Sequence, residues 1–282
     1  MSAGEFPNRR GWLRNPWVHV ALLFFLAFFV RLQHLSEAAR SPFFPRLNFL
    51  ADAVYYHKWA GEIAEGDLLG RKVFYLAPLY PYTRAIPFYL TRKAAPQDSA
   101  KEGPRFQYSD RTALTWQCVV GALSACLIYA IGSFLGGHWV GLLAGFLAAF
   151  YRMFIYFDAL LMPSTQLLFV NLAAVLLLLH AGRKGNWLLW LGAGVFVGLA
   201  VLAKAPAFLF LPAGFFWIFF GIPGLSRRRR IRNFLLLSLP TVLMVATVTA
   251  RNWVVAHDLV FLTANAGTNL YLGNHPEANG AH

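Results

Sequence analysis

The sequence predicts an all-α polytopic membrane protein with about seven transmembrane helices and a long first outer loop carrying interfacial helices. Three observations carry this. Hydrophobic residues make up 58% of the chain, and the mean hydropathy is +0.50. Only 12 of the 282 residues are Asp or Glu. Several apolar runs approach the ~20 residues that a helix needs to cross a bilayer. Aromatic residues reach 16%, nine of them Trp, which suits anchoring at the two interfaces.

The expected spans are 16–35, 113–135, 138–157, 160–181, 186–203, 206–221 and 233–250. The first holds the run Val20-Ala-Leu-Leu-Phe-Phe-Leu-Ala-Phe-Phe-Val30. It is read as an uncleaved first helix rather than a secretory signal, because removing it would leave an even number of spans. A mixed loop, 36–112, separates the first two spans, and a polar tail, 251–282, follows the last. The expected organisation is a cytoplasmic N-terminus (1–15), a seven-helix module (16–250) and an outer-face tail (251–282).

Basic residues orient these spans, since cytoplasmic loops carry an excess of Lys and Arg. With the N-terminus inside, Arg9, Arg10, Arg14, Arg183, Lys184, Arg227 to Arg230 and Arg232 all face the cytoplasm. The short outer connections and the start of the tail hold only Arg152, Lys204 and Arg251. The long first loop carries the remainder, and loops longer than about 60 residues translocate largely regardless of charge. The net charge of +13 therefore reflects topology and contact with anionic membrane lipids rather than nucleic acid. Cys118 and Cys126 share one apolar run. Their helical separation of about 12 Å exceeds the span of a disulfide, so they read as packing residues. Gly137, Gly141 and Gly145, and likewise Gly194 and Gly198, recur every four residues, a spacing that lets helices approach closely.

In this orientation four segments share the outer face: the 36–112 loop, the 151–160 turn, the 203–206 turn and the tail. The chemistry-bearing residues fall on them. From Asp52 onward the first loop reads as a short helix. Tyr56, Trp59, Ala60 and Ile63 form its apolar stripe, suited to lying on the membrane surface. Asp52, at its head, has two compatible readings: a helix cap or a functional carboxylate. Acidic groups near a bilayer are costly and mark functional sites by default. Phe74-Tyr-Leu-Ala-Pro-Leu-Tyr-Pro-Tyr-Thr-Arg84 follows. Its Pro78 and Pro81 can start a helix but not sit in its middle. Asp158 lies at the outer turn after the third span, with Arg152 as a local ion-pair partner or a helix cap as its structural alternatives. Lys204 either binds an anion or extends to the interface. Arg251-Asn252 closes the last span, and Asn269, Asn274 and Asn279 punctuate what reads as an ordered polar loop.

This order resembles a known group. An acidic residue heads an interfacial helix (Asp52-Ala-Val-Tyr-Tyr56), and Ala77-Pro-Leu-Tyr-Pro81 follows it. A second acid, Asp158, comes after span three. Arg251-Asn252 and Asn269-Leu-Tyr-Leu-Gly-Asn274 complete the series. The chain is similar over nearly its whole length to the C-type membrane glycosyltransferases. The nearest group is that of the protein O-mannosyltransferases, aminoarabinose transferases and RgtA/B/C/D-like enzymes (glycosyltransferase family 39 and relatives). The resemblance implies a polyprenyl-phosphate-sugar donor and a lipid, glycan or protein acceptor. It places transfer at the outer face of a bacterial inner membrane, or at the lumenal face in eukaryotes. Carried onto this chain, Asp52 is the main catalytic carboxylate, accepting the acceptor hydroxyl's proton or orienting that nucleophile. Asp158 shapes the site, directly or through a divalent cation such as Mg or Mn, with no metal ligands assigned. Arg251, Lys204 and Arg84 are the cations for the donor phosphate. Tyr55, Tyr56, His57, Pro78, Tyr80, Asn269 and Asn274 contribute to substrate binding.

One departure narrows the resemblance. Aminoarabinose transferases carry an acidic residue and a Lys before a Pro-Pro-Leu motif, whereas this chain reads Leu76-Ala77-Pro78-Leu79. That phosphate-gripping Lys is absent, which argues against aminoarabinose transfer to lipid A. Family members usually continue past the position of His282, so the chain is expected to hold the donor module of a longer architecture. The competing reading is a non-catalytic membrane protein: a transporter, lipid carrier or inactive remnant. A transporter would be expected to show repeats or broken helices near the midplane. The sequence shows no repeat and few mid-span polar groups beyond Asn171.

The predicted sidedness has a direct test. A cysteine introduced at Ser99 is expected to react with an impermeant thiol reagent added from outside, and one at Ser226 is not. The reverse labelling pattern would invert the topology.

Overall fold

The structure is a computed structural model that describes residues 15–43, 52–91, 93–94, 106–107 and 110–274. Arg9, Arg10, Arg14, Ser99 and Asn279, singled out above, lie outside them. The chain is an all-α membrane bundle. Among the described residues four helices are long and apolar enough to cross a bilayer: α1 (Pro16–Ala38), α4 (Asp110–Gly136), α7 (Ser164–Lys184) and α10 (Arg227–Ala256). A fifth crossing is the bent pair α5 (His138–Phe150) and α6 (Arg152–Asp158), whose axes meet at 53°. The two other expected spans are shorter apolar helices. One is α8 (Trp187–Ala203). The other runs over 205–221 and changes pitch: a 3₁₀ turn Ala205–Leu209, α9 (Phe210–Phe216) and a π turn Trp217–Gly221. Pro206 opens this segment and Pro212 interrupts its bonding, so the tight first turn has a local cause.

Several boundaries differ from the sequence expectation for identifiable reasons. Helix α1 runs past Arg31 to Ala38, because Arg31 is buried and paired rather than marking the membrane edge. Helix α7 starts at Ser164, after Pro163, where a proline is tolerated. Helix α10 absorbs the whole cluster Arg227 to Arg230, since Pro223-Gly224 breaks the chain before it and no breaker follows until Pro240.

Helix packing rests on small residues, with one correction. A Cβ at Gly194 would stand 2.5 Å from the Leu237 carbonyl oxygen, and one at Gly198 would stand 3.2 Å from the Thr241 Cα. These glycines let α8 lie against α10, where the Thr241 hydroxyl donates to the Gly194 carbonyl at 3.1 Å. Gly141 and Gly145 do the same for α5 against α4. Gly137 does not pack. It sits between α4 and α5 with φ of 85° and open space around it, so it serves the turn.

Two further helices cover one end of this bundle. Helix α2 (Asp52–Ala64) buries Tyr56, Trp59, Ala60 and Ile63, the predicted stripe. The stripe packs on protein rather than on a membrane surface. Trp59 lies 4.7 Å from Phe74 and Tyr56 5.1 Å from Tyr80, ring centre to ring centre. Helix α3 (Leu79–Thr91) begins directly after Pro78, with Pro81 in its first turn, and Pro87 lies inside it. A two-residue antiparallel ladder, β1 (Lys93–Ala94) with β2 (Phe106–Gln107), follows. One core cluster joins α2 and α3 to Leu35 of α1, Ala113, Leu114 and Cys118 of α4, Ala159, Leu161 and Val248 of α10. The segments expected to share a face therefore meet at one end of the bundle. The tail ends in α11 (Asn265–Asn274) rather than in the expected polar loop. No proline interrupts it before Pro276, and Leu270, Tyr271 and Leu272 are tolerated in helix where a loop would favour polar residues.

Replacing Gly194 with Val is expected to separate α8 from α10, at a cost of about 1–3 kcal/mol. The change should appear as a lower melting temperature in detergent. Gly192→Ala is the control, because its added Cβ would meet only the Leu177 side chain at 3.6 Å.

Candidate functional site

The helix-capped end of the bundle is organised by a buried ion pair. Arg31 Nε donates to Asp158 Oδ2 at 2.6 Å, and the two residues are 2% and 3% exposed. Thr165 Oγ1 donates to the other carboxylate oxygen at 2.6 Å. Arg31 Nη1 donates to the Ala27 carbonyl at 3.0 Å and to that of Ala149 at 3.2 Å. Ala149 lies in the last turn of α5, where carbonyls lose their helical partners at the bend. Arg31 thus satisfies both the carboxylate and the broken helix. The expected local partner, Arg152, is not used. Gly121 makes room for the pair, because a Cβ there would meet Arg31 Nε at 2.7 Å.

A polar chain leads from Asp158 toward α2. Gln117 donates to the Asp158 and Leu160 carbonyls at 3.2 and 2.6 Å, and it accepts from the Tyr80 hydroxyl at 2.5 Å. Tyr80 packs edge-on against Tyr56. Burial pushes the Tyr56 phenol above its ordinary value, and the charge of Asp52 one turn away raises it further. Asp52 itself is exposed in the first turn of α2 and makes no hydrogen bond or ion pair among the described residues. A carboxylate there interacts favourably with the helix N-terminus. Tyr55 is half-exposed, edge-on to Tyr75. Pro78 is buried.

A second charged cluster joins α2, α3 and α4. Arg84 Nη2 donates to Asp110 Oδ1 at 2.7 Å, and His57 Nδ1 lies 3.0 Å from the same oxygen. Arg84 is 2% exposed and its guanidinium lies 4.9 Å over the Phe88 ring. Its Nε and Nη1 have no hydrogen-bond partner among the described residues. A buried donor left unmatched costs about 1–3 kcal/mol. Burial also raises the Tyr80 phenol, and the neighbouring Arg84 charge opposes that rise.

Arg251 and Asn252 form a staple. Arg251 donates to the Leu69 and Lys72 carbonyls, the latter at 2.7 Å, and its guanidinium lies 3.8 Å above the Phe74 ring. Asn252 accepts from the Phe74 backbone at 3.3 Å and donates to the Val260 carbonyl at 2.9 Å. Together they clamp the 69–74 loop and the tail onto the end of α10. Lys204 is exposed where α8 ends. Asn269 and Asn274 are exposed on α11, with the Asn274 side chain bonded to the Leu270 carbonyl. Neither joins the two charged clusters.

Two cavities flank α2 and α3. One, about 330 Å³, lies between α3, α4, α7 and α8 with mostly apolar walls, and Tyr80, Arg84 and Gln117 line it. The other, about 680 Å³, is polar and includes Tyr55, Lys58, Glu62, Arg71, Lys72 and Arg251. Among the described residues no group of three or more His, Cys, Asp or Glu side chains is placed to hold a metal ion. Both Asp158 oxygens are already engaged, so the site does not fit a divalent cation at that carboxylate.

The sequence model of the dolichyl-phosphate-mannose-protein mannosyltransferase family matches residues 106–254, just over half of the chain. The chain belongs to this family. It is a membrane glycosyltransferase of the C type, as the ordered motifs implied. No curated protein and no solved structure matches the chain significantly. Sequence reasoning missed Arg31, Gly121 and Asp110. Arg31 carried a signal, a cation inside the apolar face of a spanning helix. Gly121 carried none.

Removing one partner of a buried pair strands the other. Arg31→Leu is expected to lose about 3–5 kcal/mol of stability, measured by thermal unfolding in detergent. The double variant Arg31→Leu with Asp158→Leu is expected to recover most of that loss.

Proposed function

We propose that this transferase moves a sugar from a polyprenyl-phosphate-linked donor to an acceptor hydroxyl on the outer face of a bacterial inner membrane. The N-terminus is then cytoplasmic. The observation that carries the reading is Asp52: an exposed carboxylate at the head of α2, without a hydrogen bond or ion pair among the described residues and one helical turn from Tyr56. A general base must be reachable by the substrate, and Asp52 is exposed whereas Asp158 is buried with both oxygens engaged by Arg31 and Thr165.

In the proposed step the acceptor oxygen attacks the sugar's anomeric carbon from the face opposite the phosphate. The C–O bond to phosphate breaks, its electron pair stays on the lipid phosphate, and the acceptor proton passes to Asp52. The product is inverted. A cation must balance the charge that develops on the leaving phosphate. Arg84, Lys204 and Arg251 remain the residues proposed for it. Tyr55, Tyr56, His57, Pro78, Tyr80, Asn269 and Asn274 remain the residues proposed for substrate binding. Asp158 acts by holding α1, α6 and α7 in place beneath the site.

Asp52→Asn keeps the size and helix position of the side chain but removes the base. It is expected to abolish transfer at unchanged membrane expression. The readout is glycoconjugate mass spectrometry of cells carrying the wild-type chain or the variant. A hexose- or pentose-sized mass absent only in the variant supports the reading and gives the sugar's size. Equal glycosylation in both would remove Asp52 from the chemistry.

A further inference from the structure

We infer that His19 and His138 form a site for a divalent transition-metal ion that prefers imidazole, Cu²⁺ or Zn²⁺, at the end of the bundle away from α2 and α3. The inference stands apart from the transferase reading and survives its failure.

Helix packing brings the two histidines together. His19 lies in the first turn of α1, and His138 is the first residue of α5. Gly145 lets α5 press on α1, since a Cβ there would stand 2.6 Å from Leu23 Cδ2. His19 precedes Leu23 by one turn and His138 precedes Gly145 by two, so both rings extend the same helix–helix contact. The ring centres lie 4.8 Å apart, with the planes inclined at 49°. Arg31 follows His19 along α1 by about 18 Å of helix, so the pair is separate from the ion pair and from Asp52.

Each ring has a nitrogen for a ligand. His19 Nδ1 is buried and has no hydrogen-bond partner among the described residues. His138 Nδ1 lies 3.1 Å from the Tyr129 hydroxyl. In the tautomer that donates Nδ1–H to that oxygen, His138 Nε2 keeps its lone pair. A neighbour that holds one imidazole nitrogen and leaves the other to the metal is the common support of a histidine ligand. An imidazole nitrogen stands about 2.1 Å from bound zinc, which sets two ring centres on one tetrahedral ion about 5 Å apart. The spacing of His19 and His138 meets that requirement. Ring contact alone leaves the buried His19 nitrogen unmatched, whereas a shared ion matches it.

The ligand type selects the ion. Imidazole suits Cu and Zn, while Mg and Ca take oxygen ligands, and neither ring has a carboxylate partner among the described residues. Both rings are partly exposed. Trp17 and Trp139, close to them in sequence, are 76% and 79% exposed, as tryptophans at a membrane–water boundary are. A hydrated ion therefore has access from that side, and water completes its shell. Once bound, it ties α1 to the hairpin of α4 and α5.

The test uses the full chain, purified through a tag without histidine, treated with EDTA and placed in lipid nanodiscs. Calorimetric titration is expected to show one site that takes Cu²⁺ more tightly than Zn²⁺ and that excess Mg²⁺ does not block. His19→Phe and His138→Phe keep a ring at the contact and remove the ligand. Each is expected to weaken binding at least tenfold, while His180→Gln on α7 binds as the wild type does. Electron paramagnetic resonance of the wild-type chain with one equivalent of Cu²⁺ is expected to show two coupled imidazole nitrogens. Tight binding kept by the double Phe variant would place the ion elsewhere and overturn the site. An absence of binding by the wild type, or displacement by Mg²⁺, would overturn it as well. An oxygen-only copper shell in the wild type would overturn it even if the variants do not fold.

Discussion

The pairing of Arg31 with Asp158 is the interaction around which the functional end of this bundle is arranged. An ionised side chain inside a membrane bundle is tolerated only when its charge and its hydrogen-bonding groups are matched. Here one guanidinium meets the Asp158 carboxylate, the end of α5 and its own helix. Thr165 takes the remaining carboxylate oxygen. The bend between α5 and α6 follows from the same contact, since Arg31 accepts the task of satisfying the Ala149 carbonyl. Four helices are tied at one depth by two side chains. Gly121 on α4 is the steric condition for this, because any larger residue would occupy the space of the pair.

From that knot the polar network runs outward through groups that each have a single arrangement. Gln117 bonds the turn after Asp158 on one side and Tyr80 on the other, and Tyr80 sets the position of α3 beneath α2. The aromatic residues of α2, α3 and the 74–82 segment then close the end of the bundle, with Tyr56 edge-on to Tyr80, Tyr82 edge-on to Trp59 and Phe74, and Trp59 tilted against Phe74. Aromatic edge-to-face contacts favour a fixed arrangement over a fluid one. The result is an aromatic cap that leaves Asp52 exposed at the head of α2.

Charge is distributed unevenly between what holds the fold and what is available for chemistry. Asp158, Arg31, Arg251 and Asn252 have their groups committed to the protein. Asp52 and two donors of Arg84 do not. In a chain with so few acidic residues, an exposed carboxylate without a described partner stands apart from the structural pairs. Membership of the mannosyltransferase family gives that contrast its chemical meaning.

The fold class, the helix positions and the apolar stripe of α2 were legible in the sequence, because hydrophobic run length and the 3.6-residue period are local properties. So were the place of Asp52 at the head of that helix and the ordered series of motifs that marks the family. What each polar residue does was decided by tertiary structure. Asp158 looked like a partner for Arg152, six residues away, but its partner is Arg31, 127 residues distant. The contacts of Arg251-Asn252, which clamp the 69–74 loop and the tail onto the end of α10, come from residues far away in the chain. Gly137 shared the spacing of the packing glycines but serves a turn. The tail that read as a loop is a helix. Spacing along a chain fixes which face of a helix a residue occupies, whereas only the packing of helices from distant parts of the chain fixes what that face meets.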